Sequence, residues 1–387
     1  MDFGLSSELQ MLRESVREFA AKKITPFADE WDAGHYFPYE EAIRPMGELG
    51  LFGSVIPEEY GGVDMGFLAS CIITEEIAKA SSSLRVQVNM QGIGCAYPIF
   101  KYGSEALKQK YVAKLCSAEY LGGFAITEPN AGSDVMSIRT TAEDKGDHWL
   151  LNGAKTWISN AHQADVIMCY AYTDRSQGSK GLSAFALELK NLPGVTTADI
   201  SKLGSHSSPT GEIAFNDVKV PKENMVGQPG DGVKIVFSSL NQTRLSAAAG
   251  GVGVAQACLD IATQYCNDRE QFGQPVGQFQ MNQDLIAQMS VAVEAARMLV
   301  YKAGWQKDQG QLNNGLEVAQ AKYIAGEAAM KCGNDAMRIM GAYGYSTEYP
   351  LARFYRDIPT YVIVEGSTNV CKSIIAMDQL GYRKANR

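Results

Sequence analysis

Two stretches of this 387-residue sequence carry residue types that could hold a flat heteroaromatic ring. The first, Phe124-Ala125-Ile126-Thr127-Glu128-Pro129-Asn130-Ala131-Gly132-Ser133-Asp134, joins a helical pattern to a strand-like one. Its hydroxyls and backbone N–H groups are the donors that a ring edge needs. The second, Lys155-Thr156-Trp157-Ile158-Ser159-Asn160, adds the flat face of Trp157. The same residues equally suit turn chemistry around a core tryptophan. A third stretch, Val364-Glu365-Gly366-Ser367-Thr368, follows the apolar run Tyr361-Val362-Ile363-Val364. A carboxylate held dry against a substrate can remove a proton from carbon, and a neighbouring glycine lets the backbone approach closely. Read alone, Glu365 is as well explained as a solvated carboxylate.

The elements that must position these residues fall into three blocks, giving a mainly α chain with a central β domain. Residues 1–121 read as a helical N-terminal domain: Ser7 with Gln10 fits a capping box, and Leu9, Leu12, Val16 and Phe19 recur at helical spacing. Ile56–Gly62 reads as a turn, the segment from Thr74 as a helix, and Ser81-Ser82-Ser83 as its end. Residues 122–232 shift to short β-rich runs, including WLLNGAKTWIS, DVIMCYAYT, GLSAFALELK and GEIAFNDVKV. Residues 233–387 return to long helical periodicity, as in Leu285, Ile286, Met289, Val293, Ala296, Leu299 and Val300, and predict an antiparallel bundle. This order is not the strand–helix alternation of a dinucleotide-binding sheet, and Gly341-Ala342-Tyr343-Gly344 follows no strand.

Composition narrows the function class. With 35 Lys and Arg against 43 Asp and Glu, the net charge of -8 argues against a nucleic-acid partner. No run approaches the roughly 20 apolar residues of a membrane span. The opening MDFGLSSELQ has neither the cationic start nor the apolar run of a leader, so a cytoplasmic location is expected. Eight separated cysteines without a CxxC pair, and four scattered histidines, predict buried reduced thiols and no metal site.

The motif AITEPNAGSDVMS resembles the first signature of the acyl-CoA dehydrogenases. KTWISN, SSPTGEIAFNDVKVP, DREQFGQPVGQFQ, GYSTEYPLARFYRD and VEGST follow in that family's order, so the similarity runs through essentially the whole chain. The resemblance implies an α-helical N-terminal domain, a β-barrel middle domain, a C-terminal four-helix bundle, bound FAD and a homotetramer. It implies that Phe124, Ile126, Thr127, Trp157 and Ser159 line the flavin ring, that Gly132 belongs to the cofactor site, and that Ser133 lies between flavin and coenzyme A. It assigns Arg269, Phe272 and Gln280 to the pyrophosphate and adenosine of FAD across a subunit boundary. Arg269 is otherwise a surface ion pair with Asp268 or Glu270. Arg338, Gly341, Ser367 and Asn369 complete the implied cofactor set, but Arg338 and Ala342 depart from the acidic or Gln residue and the Gly-Gly pair usual there. An added methyl at Ala342 could push the backbone from a pyrophosphate, and Arg338 could compensate with charge.

The resemblance makes Glu365 the base that removes the α-proton of an acyl-CoA thioester, its own N–H donating to the thioester oxygen. Asn241, Arg244 and Gly366 would line the substrate channel, and electrons would leave to an electron-transferring flavoprotein. Within the family, Arg85 is similar to the arginine that binds the distal carboxylate in glutaryl-CoA dehydrogenases, with Val88 beside it. The decarboxylating members have Ser after that arginine, Tyr before the base, and a Glu one helical segment earlier; here those positions are Val86, Val364 and Ala78. Oxidation of glutaryl-CoA to glutaconyl-CoA with the carboxyl retained is therefore expected. A decarboxylating enzyme giving crotonyl-CoA, a dehydrogenase for another acyl group, and a non-catalytic flavoprotein or CoA-binding scaffold are the alternatives.

Overall fold

The computed structural model describes residues 4–382. Its first helix, Ser7–Lys23, is capped by Ser6 rather than Ser7: the Ser6 hydroxyl accepts from the Leu9 N–H. The reciprocal half of a capping box is absent, because with Ser6 as the cap the residue three positions on is Leu9, which has no side-chain acceptor; the Gln10 amide donates instead to the Leu5 carbonyl. The helix expected from Thr74 begins earlier and spans Gly66–Ala80. Ser81 ends it and caps the next helix, Ser82–Gln87, by accepting from the Leu84 N–H.

The middle of the chain forms an eight-stranded sheet. Its predicted strands His148–Ser159, Val166–Tyr172, Leu182–Glu188 and Thr210–Pro221 are present; alternate burial makes Thr210–Pro221 legible, whereas Val166–Tyr172 and Leu182–Glu188, buried along almost their whole length, are legible as short apolar runs. Gly122–Ala125 and Val195–Asp199 escaped the sequence reading because one is only four residues, two of them glycine, and the other is mostly polar. Gly122–Ala125 pairs in parallel with Val166–Tyr172 and so carries the Phe124 motif into the sheet.

Three long helices follow: Gly232–Asp268, Gln280–Asp308 and Gly315–Met340. By length and composition Gly232–Asp268 could cross a membrane, but 78% of its most apolar stretch is buried inside the protein. Its Ala- and Gly-rich centre explains its neighbours' close approach. A Cβ on Gly253 would lie 2.8 Å from Ala78 Cβ, and one on Gly250 would lie 2.9 Å from Arg85 Cδ and 3.0 Å from Tyr361 Cε1. All eight cysteines are buried and free, and no His, Cys, Asp or Glu group among the described residues could hold a metal ion.

The three blocks meet at a buried polar joint. Arg356 pairs with Asp32 and its guanidinium reaches the His206 ring, which stacks on His35 at 4.1 Å between centroids. Asp357 accepts from the Ser205 N–H at 2.5 Å, while its second carboxyl oxygen is buried without a partner. Burial, only partly offset by Ser205, Arg353 and Arg356, pushes the Asp357 carboxyl up to about 6. A carboxyl raised in the folded state stabilises the fold below its ordinary range near 3.8, and that contribution is lost as pH rises through about 6. Asp357→Asn keeps the acceptor and removes the titration. Its unfolding free energy from urea titrations is expected to gain on the parent's between pH 4 and 7, by on the order of 2 kcal/mol; parallel pH profiles would refute this origin.

Candidate active site

The loop Thr127–Asp134 is held from beneath by charge. Glu128 is buried and pairs with the fully buried Lys155 at 2.7 Å, while accepting from the Arg139 and Thr140 backbone N–H groups and the Thr140 hydroxyl. Lys155 also donates to the Ile126 carbonyl at 3.2 Å, and the Thr156 N–H donates to the Thr127 carbonyl at 3.0 Å. The two motif loops are thus fastened together. Phe124 and Ile126 are buried, Thr127 and Ser159 half-buried, and Gly132 and Ser133 exposed.

Trp157 is not a core tryptophan. The pairing of its strand with Thr210–Pro221 is irregular between Lys155 and Ile158, and Trp157 adopts a left-handed backbone with φ of 60°. Its side chain is 59% exposed on a strand whose neighbours Thr156 and Ile158 are buried. The bulge and the left-handed backbone turn a large aromatic face outward, where a flat ring can stack on it.

Glu365 sits on a second strained position, with φ of 57°, after the short helix Thr360–Ile363. Its carboxylate accepts from the buried Thr243 hydroxyl at 2.5 Å. Arg244 Nε donates to the carbonyl of Glu365 itself at 2.9 Å. Arg244 therefore braces the Glu365 backbone, and Gly366 is required: its φ is +88°, and a Cβ there would lie 2.9 Å from an Arg244 terminal nitrogen. Thr243 was missed in the sequence because a lone Thr inside Asn-Gln-Thr-Arg carries no pattern of its own. Asn241 donates to the Leu312 carbonyl and leaves its own amide oxygen buried without a partner. Ile363 and Val364 are exposed and Glu365 half-buried, so in the single chain the apolar run forms an open wall rather than a sealed pocket.

Arg85 is 3% exposed. Its Nε donates to the Tyr361 hydroxyl at 3.1 Å, and its guanidinium lies 4.8 Å from the centre of the Tyr361 ring. Among the described residues no carboxylate pairs with it. The two acids on the neighbouring Gly66–Ala80 helix are taken elsewhere: Glu75 pairs with Arg297 and Glu76 with Arg17. Ala78 is buried and apolar, Val88 is buried, and Val86 is half-buried.

The remaining cofactor candidates lie in two places. Ser367 and Asn369 line a groove of about 610 Å³ against the Gly315–Met340 helix, and the Thr368 hydroxyl between them is buried without a partner. Arg269 lies 5.2 Å from the Tyr343 ring centre, which places it beside the Gly341-Ala342 turn rather than in an ion pair with Asp268 or Glu270. Arg338 is exposed and weakly paired with Asp335, at 3.4 Å. Open space surrounds the position a Cβ would take at Gly341 and at Gly132. Phe272 is 94% exposed at a hairpin tip with φ of 52°, and Gln280 opens the Gln280–Asp308 helix from an exposed position. An outward tryptophan, an open glycine loop and an unpartnered buried hydroxyl together fit a flavin nucleotide.

Comparison with known proteins agrees along the whole chain. The acyl-CoA dehydrogenase N-terminal, middle and C-terminal domains match residues 6–119, 123–218 and 230–380. A glutaryl-CoA dehydrogenase of Desulfococcus multivorans is 71% identical over 389 residues, covering all of both chains. The structure of a glutaryl-coenzyme A dehydrogenase glutaryl-CoA complex superposes with a TM-score of 0.98 at 71% identity, covering 100% of this chain and 98% of that one. A chain from the electron transferring flavoprotein structure of Acidaminococcus fermentans superposes with a TM-score of 0.96 at 38% identity, covering 99% and 100%. The bulged tryptophan, the strained glutamate and these full-length matches place the chain in the acyl-CoA dehydrogenase family of FAD-dependent oxidoreductases.

Proposed function

We propose that this enzyme oxidises glutaryl-CoA to glutaconyl-CoA and retains the distal carboxylate. The observation that carries the reading is Arg85, a buried guanidinium with no carboxylate among the described residues to neutralise it. An unpaired buried cation is unfavourable by several kcal/mol, so its site is completed by an anion that arrives with the substrate. The 71% identity to a glutaryl-CoA dehydrogenase, and the match to a structure in complex with glutaryl-CoA, support a five-carbon dicarboxylic acyl group.

Glu365 removes the α-proton, its carboxylate aimed by Thr243 and its backbone fixed by Arg244. Phe124, Ile126, Thr127, Trp157 and Ser159 would hold the flavin end of FAD, and Thr368 and its neighbours would hold another part of it. FAD, when bound, supplies the acceptor for the two electrons and the β-hydrogen that leave the acyl chain. Arg85 keeps the far carboxylate anionic. Loss of neutral CO2 would forfeit that charge-assisted contact, and the apolar Val86, Val364 and Ala78 offer no donor to the dienolate that decarboxylation would create. The exposed Phe272 and the Arg269–Tyr343 pair support a homotetramer in which each chain completes its neighbour's FAD site. Reoxidation by an electron-transferring flavoprotein is supported by the Acidaminococcus match.

Mass analysis of the acyl-CoA product tests the reading, with purified yellow protein, glutaryl-CoA and an artificial one-electron acceptor. Glutaconyl-CoA without CO2 is expected. Crotonyl-CoA would show that the apolar setting does not prevent decarboxylation, and no product would move the substrate to another acyl group.

A further inference from the structure

We propose that Tyr361 is a specificity-determining positioning residue that aims Arg85 and sets the preference for a dicarboxylic over a monocarboxylic acyl thioester. This rests on the reading of Arg85 given above. Tyr361 is fully buried and held at both ends. Its carbonyl accepts from the buried Lys322 ammonium at 2.5 Å, and a Cβ on Gly326 would lie 2.7 Å from that carbonyl oxygen, so the helix Gly315–Met340 grips the Tyr361 backbone directly.

At the other end the phenol faces Arg85 and Ser82, its oxygen lying 2.9 Å from Ser82 Oγ. Arg85 Nε can only donate, so the phenol oxygen accepts from it. The phenol hydrogen is then satisfied by donation to Ser82 Oγ, which closes a chain from Arg85 through Tyr361 to Ser82. Two consequences follow for the guanidinium. First, with Nε engaged, a carboxylate cannot take the side-on fork through Nε, and the two terminal nitrogens are left as a matched pair of donors for an end-on fork. They donate to no acceptor among the described residues. Second, the ring lies against the guanidinium and Gly250 closes in on both Arg85 Cδ and Tyr361 Cε1, so the side chain has little freedom to turn.

The neutral character of this partner matters as much as its geometry. A glutamate or aspartate in the place of the phenol would orient Arg85 equally well but would neutralise it, and a substrate carboxylate would then compete for the same charge. Tyr361 orients the cation without discharging it. Because Tyr361 lies four residues before Glu365, the contact that selects the distal carboxylate and the base at the α-carbon hang from one short segment.

Tyr361→Phe removes the hydroxyl and keeps the ring. The ratio of kcat/KM for glutaryl-CoA to that for butyryl-CoA is expected to fall about tenfold, mostly through a raised KM for glutaryl-CoA. A purely structural role would lower both substrates together and leave the ratio in place. Ser82→Ala, which takes away only the phenol's acceptor, is expected to lower the same ratio about threefold and serves if Tyr361→Phe does not fold. A parent enzyme with no preference for glutaryl-CoA would overturn the dicarboxylate reading itself. A parent with the preference, and both variants with the full ratio, would leave that reading standing and overturn the positioning role.

Discussion

Glu365→Gln is expected to bind FAD and substrate yet leave the flavin yellow when glutaryl-CoA is added. The exchange keeps the shape of the side chain, and the bond from Arg244 goes to the backbone carbonyl of residue 365, which the substitution does not touch. Thr243 can still donate to the remaining amide oxygen. What disappears is the capacity to accept a proton from carbon. General-base catalysis by a positioned side chain contributes roughly 10²–10⁴-fold, and with no second carboxylate bonded to this loop among the described residues the upper part of that range is expected. Stopped-flow absorbance of the flavin after mixing with glutaryl-CoA measures the step directly. Normal reduction by Glu365→Gln would remove the base from the mechanism and revive a binding role for the protein.

The Glu365 segment and the Phe124 and Trp157 segments stood out in the sequence as candidates because each is a contiguous string whose residue types suit a base or a flavin ring. The fold was legible for a different reason: burial on one face writes a period of two or 3.6 into the long strands and helices. What the sequence withheld was every relation between distant segments. Nothing near Arg85 points to Tyr361, 276 positions on, and nothing in the Thr127–Asp134 motif says that Glu128 is a buried anchor for Lys155 rather than a ligand contact. Arg244, expected in the substrate channel, also bonds the Glu365 carbonyl, a contact set by where the Gly232–Asp268 helix passes the 365 turn. Trp157 illustrates the same limit within one strand. Its alternation with Thr156 and Ile158 fits a core position, and only the bulge turns it outward.

Arg85→Met is expected to reverse the order of substrate preference while leaving the fold intact or firmer. Replacing a buried charged group by an apolar side chain of similar length is often neutral or stabilising, and here the charge is bonded among the described residues to a phenol and its ring rather than to a carboxylate. The thermal midpoint should therefore hold or rise. For glutaryl-CoA the consequence runs the other way, since its carboxylate would enter an apolar pocket with no counter-charge. Truncating one partner of a buried hydrogen-bonded charge pair costs about 2–5 kcal/mol, which corresponds to a fall in kcat/KM of roughly 30-fold to 5,000-fold. A butyryl thioester ends in a methyl group at the same place, and a methionine thioether suits it better than an unpaired guanidinium does. Its kcat/KM should rise, so that the two substrates cross. The decisive measurement is the pair of specificity constants on one preparation of parent and variant, together with their melting temperatures. If glutaryl-CoA turnover stayed within twofold of the parent, the substrate's far end would lie somewhere other than at Arg85, and the buried cation would have to be balanced by a group that the single chain does not supply.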